Sequence, residues 1–259
     1  MEPKEYRALH AEWYELRSAE GDHSKEIDLL ARRIQESGQP VLELGSGTGR
    51  ILVPLLERGF HISGIDTSRH MMDRCRAALL AKGLKTQLHE QSMLDFALPQ
   101  KYGVILLVSG CLGLFTSDDE IRRVFARVMA HLDAGGVFIY EFEQATAKRV
   151  ISNDSGWTGD WINGPDDVVL AERNRNKYDA TTRVWERLFV VEKYVSGRLI
   201  ETEANERTGR YFTVEEAVQF GKSAGFVSIK ATNWLTEEPP SDDSAVITVQ
   251  CRKPGEQAS

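Results

Sequence analysis

The chain has 259 residues, 41% hydrophobic, 27% charged and 8% aromatic, proportions that exclude disorder, a collagen-like repeat and a coiled coil. A total of 32 Lys and Arg against 39 Asp and Glu gives a net charge of −7. This argues against a general nucleic-acid binder, which needs a basic surface to displace phosphate counterions.

The length fits one large domain, or a core domain with a smaller appendage. The first residues, Met1 to Glu5, are polar and lack the apolar stretch of a signal peptide. The longest apolar run, Gly103–Phe115, is shorter than the ~20 residues that span a bilayer. Cys75, Cys111 and Cys251 are odd in number and widely spaced, as reduced thiols in a cytoplasmic protein would be. The expectation is a soluble cytoplasmic protein with no membrane partner.

Apolar residues at helical spacing (Trp13, Leu16; Ile27, Leu30, Ile34) predict two helices within Glu5–Gln35, broken at Gly21-Asp22 and stopped by Gly38-Gln39-Pro40. Strands and helices then alternate. Val41–Leu44, His61–Ile65, Thr86–Glu90, Val104–Val108 and Val137–Phe142 read as strands. Ile51–Glu57, Arg69–Lys82 and Asp118–Leu132 read as helices. Such alternation predicts βαβ units and a parallel sheet covered on both faces. From about Asn153 the character changes. Two Gly/Pro/Asp-rich patches, Ser155–Gly159 and Asn163–Asp167, precede the β-rich runs Val168–Glu172, Arg183–Tyr194 and Arg198–Glu203, which predict an antiparallel insertion. Thr213-Val214-Glu215-Glu216 is a capping box opening a helix that ends at Gly225. Val227–Ala231 and Ala245–Cys251 read as final strands, and the tail Pro254–Ser259 as frayed.

The segment Val41–Arg50 joins a buried strand to a helix through Gly45, Gly47 and Gly49. Without Cβ atoms the backbone can turn sharply and lie against a ligand. The helix start then offers free N–H groups to an anion. Asp66 ends the next strand, where a carboxylate can accept both hydroxyls of a ribose. A dinucleotide fingerprint, G-x-G-x-x-G, would place its third glycine at position 50, which is Arg50 here. Acidic Glu43, two residues before the first glycine, suits a cationic ligand better than a pyrophosphate.

With Gly64-Ile65-Asp66-Thr67-Ser68, Met71-Met72, Met93–Phe96, Leu132–Gly136 and Gly209–Thr213, the sequence resembles the class I S-adenosylmethionine-dependent methyltransferases, particularly their small-molecule branch. The resemblance covers about Trp13–Phe142 and Arg210–Arg252. It implies S-adenosylmethionine as cofactor, with Gly45, Ser46 and Gly47 under the methionine part beside Glu43. Asp66 would hold the ribose, with Thr67 beside it against adenine. Ser92-Met93 stands where the family usually places Asp and an apolar residue at the adenine edge. Val108-Ser109 should lie by the methionyl amine, and Leu114 stands where many relatives carry a His. The family's usual Asp early in the fourth strand is Gly103.

Alternatives stand beside these assignments. Asp66 also reads as a helix cap, and Asp95 as a solvated turn acid. Trp13 and Tyr14 read either as helix-face core or as a cover over the methionine moiety. The six histidines form no cluster with ligand spacing, so no metal site is expected, and no strand-end G-x-S-x-G suggests a nucleophile.

The expected architecture is α/β: a doubly wound, mainly parallel, Rossmann-like sheet, to which the resemblance gives seven strands, the last antiparallel. Residues 1–152 and 210–253 would form the cofactor-binding core. Residues 153–209 would form a small antiparallel insertion over the acceptor pocket. The expected reaction is SN2 transfer of a methyl group to N or O of a small molecule (EC 2.1.1.-), by a monomer or homo-oligomer. Glu141 or Glu143, at the end of the fifth strand, is the candidate base, with one of the two pointing inward. Trp157 and Trp161 read as an aromatic wall for the acceptor or as packing under the insertion. An NAD(P)-dependent oxidoreductase and a non-catalytic cofactor-binding regulator are the alternative functions.

Overall fold

The computed structural model describes residues 6–146 and 154–255. In chain order its elements are α1 (Ala8–Ala19), α2 (Ser24–Ser37), β1 (Val41–Leu44), α3 (Leu52–Glu57), β2 (Ile62–Asp66), α4 (Arg69–Ala81), β3 (Leu88–Glu90) and β4 (Tyr102–Leu107). Then follow α5 (Asp118–His131), β5 (Leu132–Glu143), β6 (Asp154–Asn163), β7 (Val168–Asp179), β8 (Val184–Val195), β9 (Arg198–Arg210), α6 (Val214–Ser223), β10 (Val227–Asn233) and β11 (Val246–Arg252).

Seven strands form one sheet in the order β10-β11-β5-β4-β1-β2-β3, and β6 to β9 form a second, antiparallel sheet. In the first sheet β11 runs antiparallel to β10 and β5, while β1 runs parallel to both β2 and β4. The chain leaves β1 for β2 on one side and later returns to β4 on the other. The carboxyl ends of β1 and β4 therefore border the crevice where open α/β sheets hold ligands.

The two-residue period of the strands sorts the core into two layers. Leu42, Leu44, Ile105, Leu107, Phe138 and Tyr140 pack with α5 and α6, through residues such as Val124, Phe125 and Phe220. Val41, Val104, Leu106, Val137 and Ile139 pack on the opposite face with Ile27, Leu30 and Ile34 of α2 and with α3 and α4. The same period puts Glu43, Glu141 and Glu143 on the α2 face. Gly103 explains itself by crowding: a Cβ there would lie 2.8 Å from the Gln39 nitrogen, so the usual aspartate has no room.

Helix ends follow local chemistry. Ser117 and Glu120 close a reciprocal capping box at α5, and Thr213 and Glu216 close the expected one at α6. The second sheet is larger than the sequence patterns implied. Ser155–Gly159 lies inside β6 rather than before a strand. A register shift between Asp154 and Trp157 takes up Gly156 at φ +66°, and Gly159 lets β7 come close. Strands β7 and β9 run on to Asp179 and Arg210, past the expected ends at Glu172 and Glu203, because antiparallel strands with exposed faces hold register through backbone bonds without apolar alternation. The hairpin Asn163–Asp167 turns through Asp166 and Asp167, both left-handed. Leu9 of α1 packs with Ile162, Leu170 and Val191, joined by Trp13 and Leu16. Helix α1 is thereby fixed against the insertion. The start of the insertion at Asn153, the polar residues 1–5 and the tail beyond position 255 lie outside the described residues.

Candidate active site

The turn after β1 is held against β2 by backbone bonds from Gly45 and Ser46 to the Ile65 carbonyl, 2.8 and 3.0 Å. Gly45 has φ +73°, and a Cβ there would sit 3.2 Å from Cys111 Sγ and 3.5 Å from Met93 Cε. The absent side chain thus leaves a cradle floored by backbone. Asp66, at the end of β2, accepts from the Gly47 amide at 2.9 Å and from the Ser68 amide at 2.8 Å. The cap of α4 is Ser68, whose hydroxyl accepts from the Met71 amide. The helix-cap reading of Asp66 therefore passes to Ser68, and Asp66 ties the glycine turn to β2.

A cavity of about 660 Å³ opens over this turn. Of the expected residues it brings together Tyr14, Glu43, Gly45, Ser46, Gly47, Asp66, Thr67, Ser92, Met93 and Ser109. Leu114 lines it too. Val108 does not: it is buried in the α2-side core, and its carbonyl accepts from the Cys111 amide. Its neighbour Ser109 reaches the cavity because it adopts a left-handed conformation, φ +59°, followed by Gly110 at φ +71°. Tyr6 and Thr208 also line the cavity. No sequence pattern pointed to either, since Tyr6 precedes α1 and Thr208 comes from the far end of the insertion.

A second cavity of about 400 Å³ adjoins the first. The two share Tyr14, Arg50, Ser109 and Gly110. Glu141 and Glu143 both line the second cavity. Only one was expected to face inward, but β5 stays regular through Glu143, so positions two apart share a face. Trp157 and Trp161 are 53% and 69% exposed and line neither cavity. Arg173 lies over the Trp157 ring at 5.9 Å. Neither the aromatic wall nor packing under the insertion describes them. Trp13 lines the second cavity with its partly buried ring against the α1–insertion core, and Asp95 is exposed, away from both cavities.

Arg50 sets the electrostatics between the cavities. Its guanidinium bonds both oxygens of Glu26 at 2.5 and 3.0 Å, reaches His23 Nδ1 at 3.1 Å and donates to the Ser109 hydroxyl. Burial disfavours the Arg50 cation, but the bond and charge of Glu26 hold its pKa above the ordinary value. Burial raises the Glu43 carboxyl to about 8; Arg50 opposes this, while Glu26 and Asp66 add repulsion. Burial likewise raises Glu141 to about 7, with repulsion from Glu26, against the Ser109 amide that donates to it at 2.9 Å. Asp66 is raised by burial against the amides of Ser68, Gly47 and Thr67. The Tyr14 phenol and the Cys111 thiol are each pushed up to about 12 by burial, so neither is an anionic nucleophile near neutral pH.

The residues fit a cationic nucleoside ligand. One oxygen of Glu43, Oε2, and the Ser46 hydroxyl are buried without a hydrogen-bond partner among the described residues. Both residues line the cavity over the turn. The Asp66 oxygens each keep lone-pair capacity for a hydroxyl beyond their amide bonds. Among the described residues no group of three or more His, Cys, Asp or Glu side chains is arranged to hold a metal ion, and no helix is long and apolar enough to cross a membrane.

Residues 41–136 match the family described as a methyltransferase domain. The chain is 20% identical over 256 residues to a protein of Geobacillus sp. (strain WCH70) provisionally designated a methyltransferase, covering 94% of this chain and 98% of that one. Among solved structures it superposes on an S-adenosylmethionine-dependent methyltransferase from Clostridium acetobutylicum ATCC 824 with a TM-score of 0.77 and 18% identity, covering 93% and 95% of the two chains. It superposes on the sugar N-methyltransferase KedS8 from Streptoalloteichus sp. ATCC 53650 with a TM-score of 0.72 and 18% identity, covering 93% and 91%.

Proposed function

We infer that this chain is a class I methyltransferase that uses S-adenosylmethionine to methylate N or O of a small molecule. The observation that carries the reading is the turn after β1: a glycine cradle tied to Asp66 and flanked by the orphaned oxygen of Glu43. A sulfonium cofactor brings a methyl group activated toward nucleophiles and a positive charge that Glu43 can face. The dinucleotide and non-catalytic alternatives find no such support.

In this reading Gly45, Ser46 and Gly47 bear the methionine part beside Glu43, Ser109 and Tyr14. Asp66 accepts the ribose hydroxyls, and Thr67, Ser92 and Met93 surround the base. The chain's own contribution to rate is alignment and exclusion of water. Holding two reactants in line supplies ~7–11 kcal/mol in well-oriented cases. Tyr14 and Tyr6 come from the N-terminal segment, which is anchored by the Ser68 hydroxyl bonding the Tyr6 carbonyl at 2.5 Å. They line the cavity over the turn. The insertion borders the cofactor cavity through Thr208. Glu141 or Glu143 receives the acceptor proton where one must leave; Glu141, raised by burial to about 7, is matched to that task at neutral pH. The acidic net charge and the three free cysteines suit a cytoplasmic enzyme acting on metabolites rather than nucleic acid.

Calorimetry with S-adenosylmethionine and with NADH tests the cofactor. Binding of the first and not the second is expected, and the reverse would overturn the reading. Release of S-adenosylhomocysteine in the presence of a metabolite pool separates an enzyme from a non-catalytic binder.

A further inference from the structure

We propose that the second cavity is the acceptor chamber and that it selects an organic amine, held between aromatic walls and the carboxylates that end β5. The inference rests on the methyltransferase reading and adds to it a place and a substrate class. The chamber has about 400 Å³, enough for a small metabolite, and borders the cofactor cavity along Tyr14, Arg50 and the left-handed pair Ser109-Gly110. Trp13, Tyr14 and Trp234 line it together with Glu141 and Glu143.

Its basic groups are already paired. Arg50 is bonded through both terminal nitrogens to Glu26. Arg17 pairs with Glu20 at 2.7 Å and Asp160 at 2.9 Å. His23 faces the Arg50 donor through Nδ1 and the Ser18 carbonyl through Nε2, an arrangement that a neutral ring satisfies. Each basic group of the chamber thus already has a partner. Glu141 is 3% exposed, and its carboxyl is held by the Ser109 amide at 2.9 Å and a long 3.5 Å contact from Thr248. A carboxylate so buried is stabilised by a cation and by no neutral hydroxyl to the same degree. Indole and phenol rings attract the same cation. An acidic acceptor would meet Glu141 and Glu143 and be repelled.

The test uses a matched pair of probes, benzylamine and benzyl alcohol, which differ in an ammonium against a hydroxyl. Each is titrated calorimetrically into the full chain, with and without saturating S-adenosylhomocysteine. Benzylamine is expected to bind at least tenfold more tightly, and Glu141→Gln/Glu143→Gln to cut the preference below threefold. Trp234, 40% exposed at the chamber mouth, gives a variant that does not threaten the core: Trp234→Ala should weaken benzylamine more than benzyl alcohol. Equal affinities, no binding of either probe, or a preference that survives both variants would overturn the proposal. Failure of S-adenosylhomocysteine to bind would count against the cofactor assignment instead, since the amine preference is also read without it.

Discussion

The guanidinium of Arg50, one residue after the third glycine of the turn, forks onto the carboxylate of Glu26 in α2 at 2.5 and 3.0 Å, with the glutamate only 3% exposed. The pair joins the glycine turn after β1 to the helix that covers one sheet face. It also stands within the fields of Glu43 and Glu141, two carboxyls that it partly offsets.

Removing the cation should expose the cost of that arrangement. Arg50→Ala leaves Glu26 buried without its partner, a change that destabilises by ~3–5 kcal/mol when a buried pair is broken from one side. Arg50→Lys keeps the charge but loses the planar fork and should fall between the two. Urea unfolding at pH 7 reads both. A loss under ~1 kcal/mol for Arg50→Ala would show that the pair is not a structural tie.

Two glycines of the turn should fail in different ways. A Cβ on Gly49 would lie 2.8 Å from both Cys75 Sγ and Val53 Cγ2 at φ +89°, whereas at Gly47 the nearest atom is 4.0 Å away at φ +54°. Gly49→Ala should therefore overpack the α3–α4 contact and cost at least ~1–3 kcal/mol. Gly47→Ala should cost ~1–2 kcal/mol from the left-handed backbone. Gly47→Val should abolish S-adenosylmethionine binding while the fold stays measurable. Wild-type calorimetric affinity in Gly47→Val would refute the placement of the methionine part.

The contrast shows what the sequence could carry. The strand, the glycine spacing and Asp66 lie close together along the chain, so their joint geometry is local and readable. The parallel, helix-covered sheet followed from the βαβ alternation by the same logic. Arg50 was legible only as an interruption of a dinucleotide fingerprint, because its partner Glu26 is 24 residues away on another element. Glu26 itself looks like any solvated helix acid until α2 is docked. The insertion was underestimated because β6, with Gly156 and Gly159, carries the residues of a turn. Tyr6 and Thr208 meet at the cavity only through tertiary packing.

The roles of Asp66 and Ser68 separate on two axes. Ser68→Ala removes the α4 cap and should lower stability by ~1 kcal/mol with the cofactor dissociation constant unchanged. Asp66→Ala removes the acceptor for the Gly47 and Ser68 amides and for the ribose hydroxyls, charge-assisted bonds worth ~1.5–3 kcal/mol each. It should weaken the cofactor at least tenfold, since ~1.4 kcal/mol is one decade. An unchanged dissociation constant in Asp66→Ala beside a lowered melting temperature would mean the ribose lies elsewhere.

Burial raises Glu43 to about 8 and Glu141 to about 7 from an ordinary value of 4.5. Between those limits the folded chain holds protons that the unfolded chain has released, so stability falls as pH rises. This contribution is fully present below about 4.5 and is lost as pH passes 7 and then 8. Glu43→Gln keeps the shape and an acceptor for the Leu52 amide but never ionises, so its stability relative to the parent should increase from pH 5 to pH 9. A cationic cofactor acts in the opposite sense on the same group. By favouring the carboxylate it draws the proton off, so binding at pH 7 should release protons, read by calorimetry in buffers of different ionisation enthalpy. Glu43→Gln should remove most of that release. If the variant releases as many protons as the parent, Glu43 does not face the cofactor's charge.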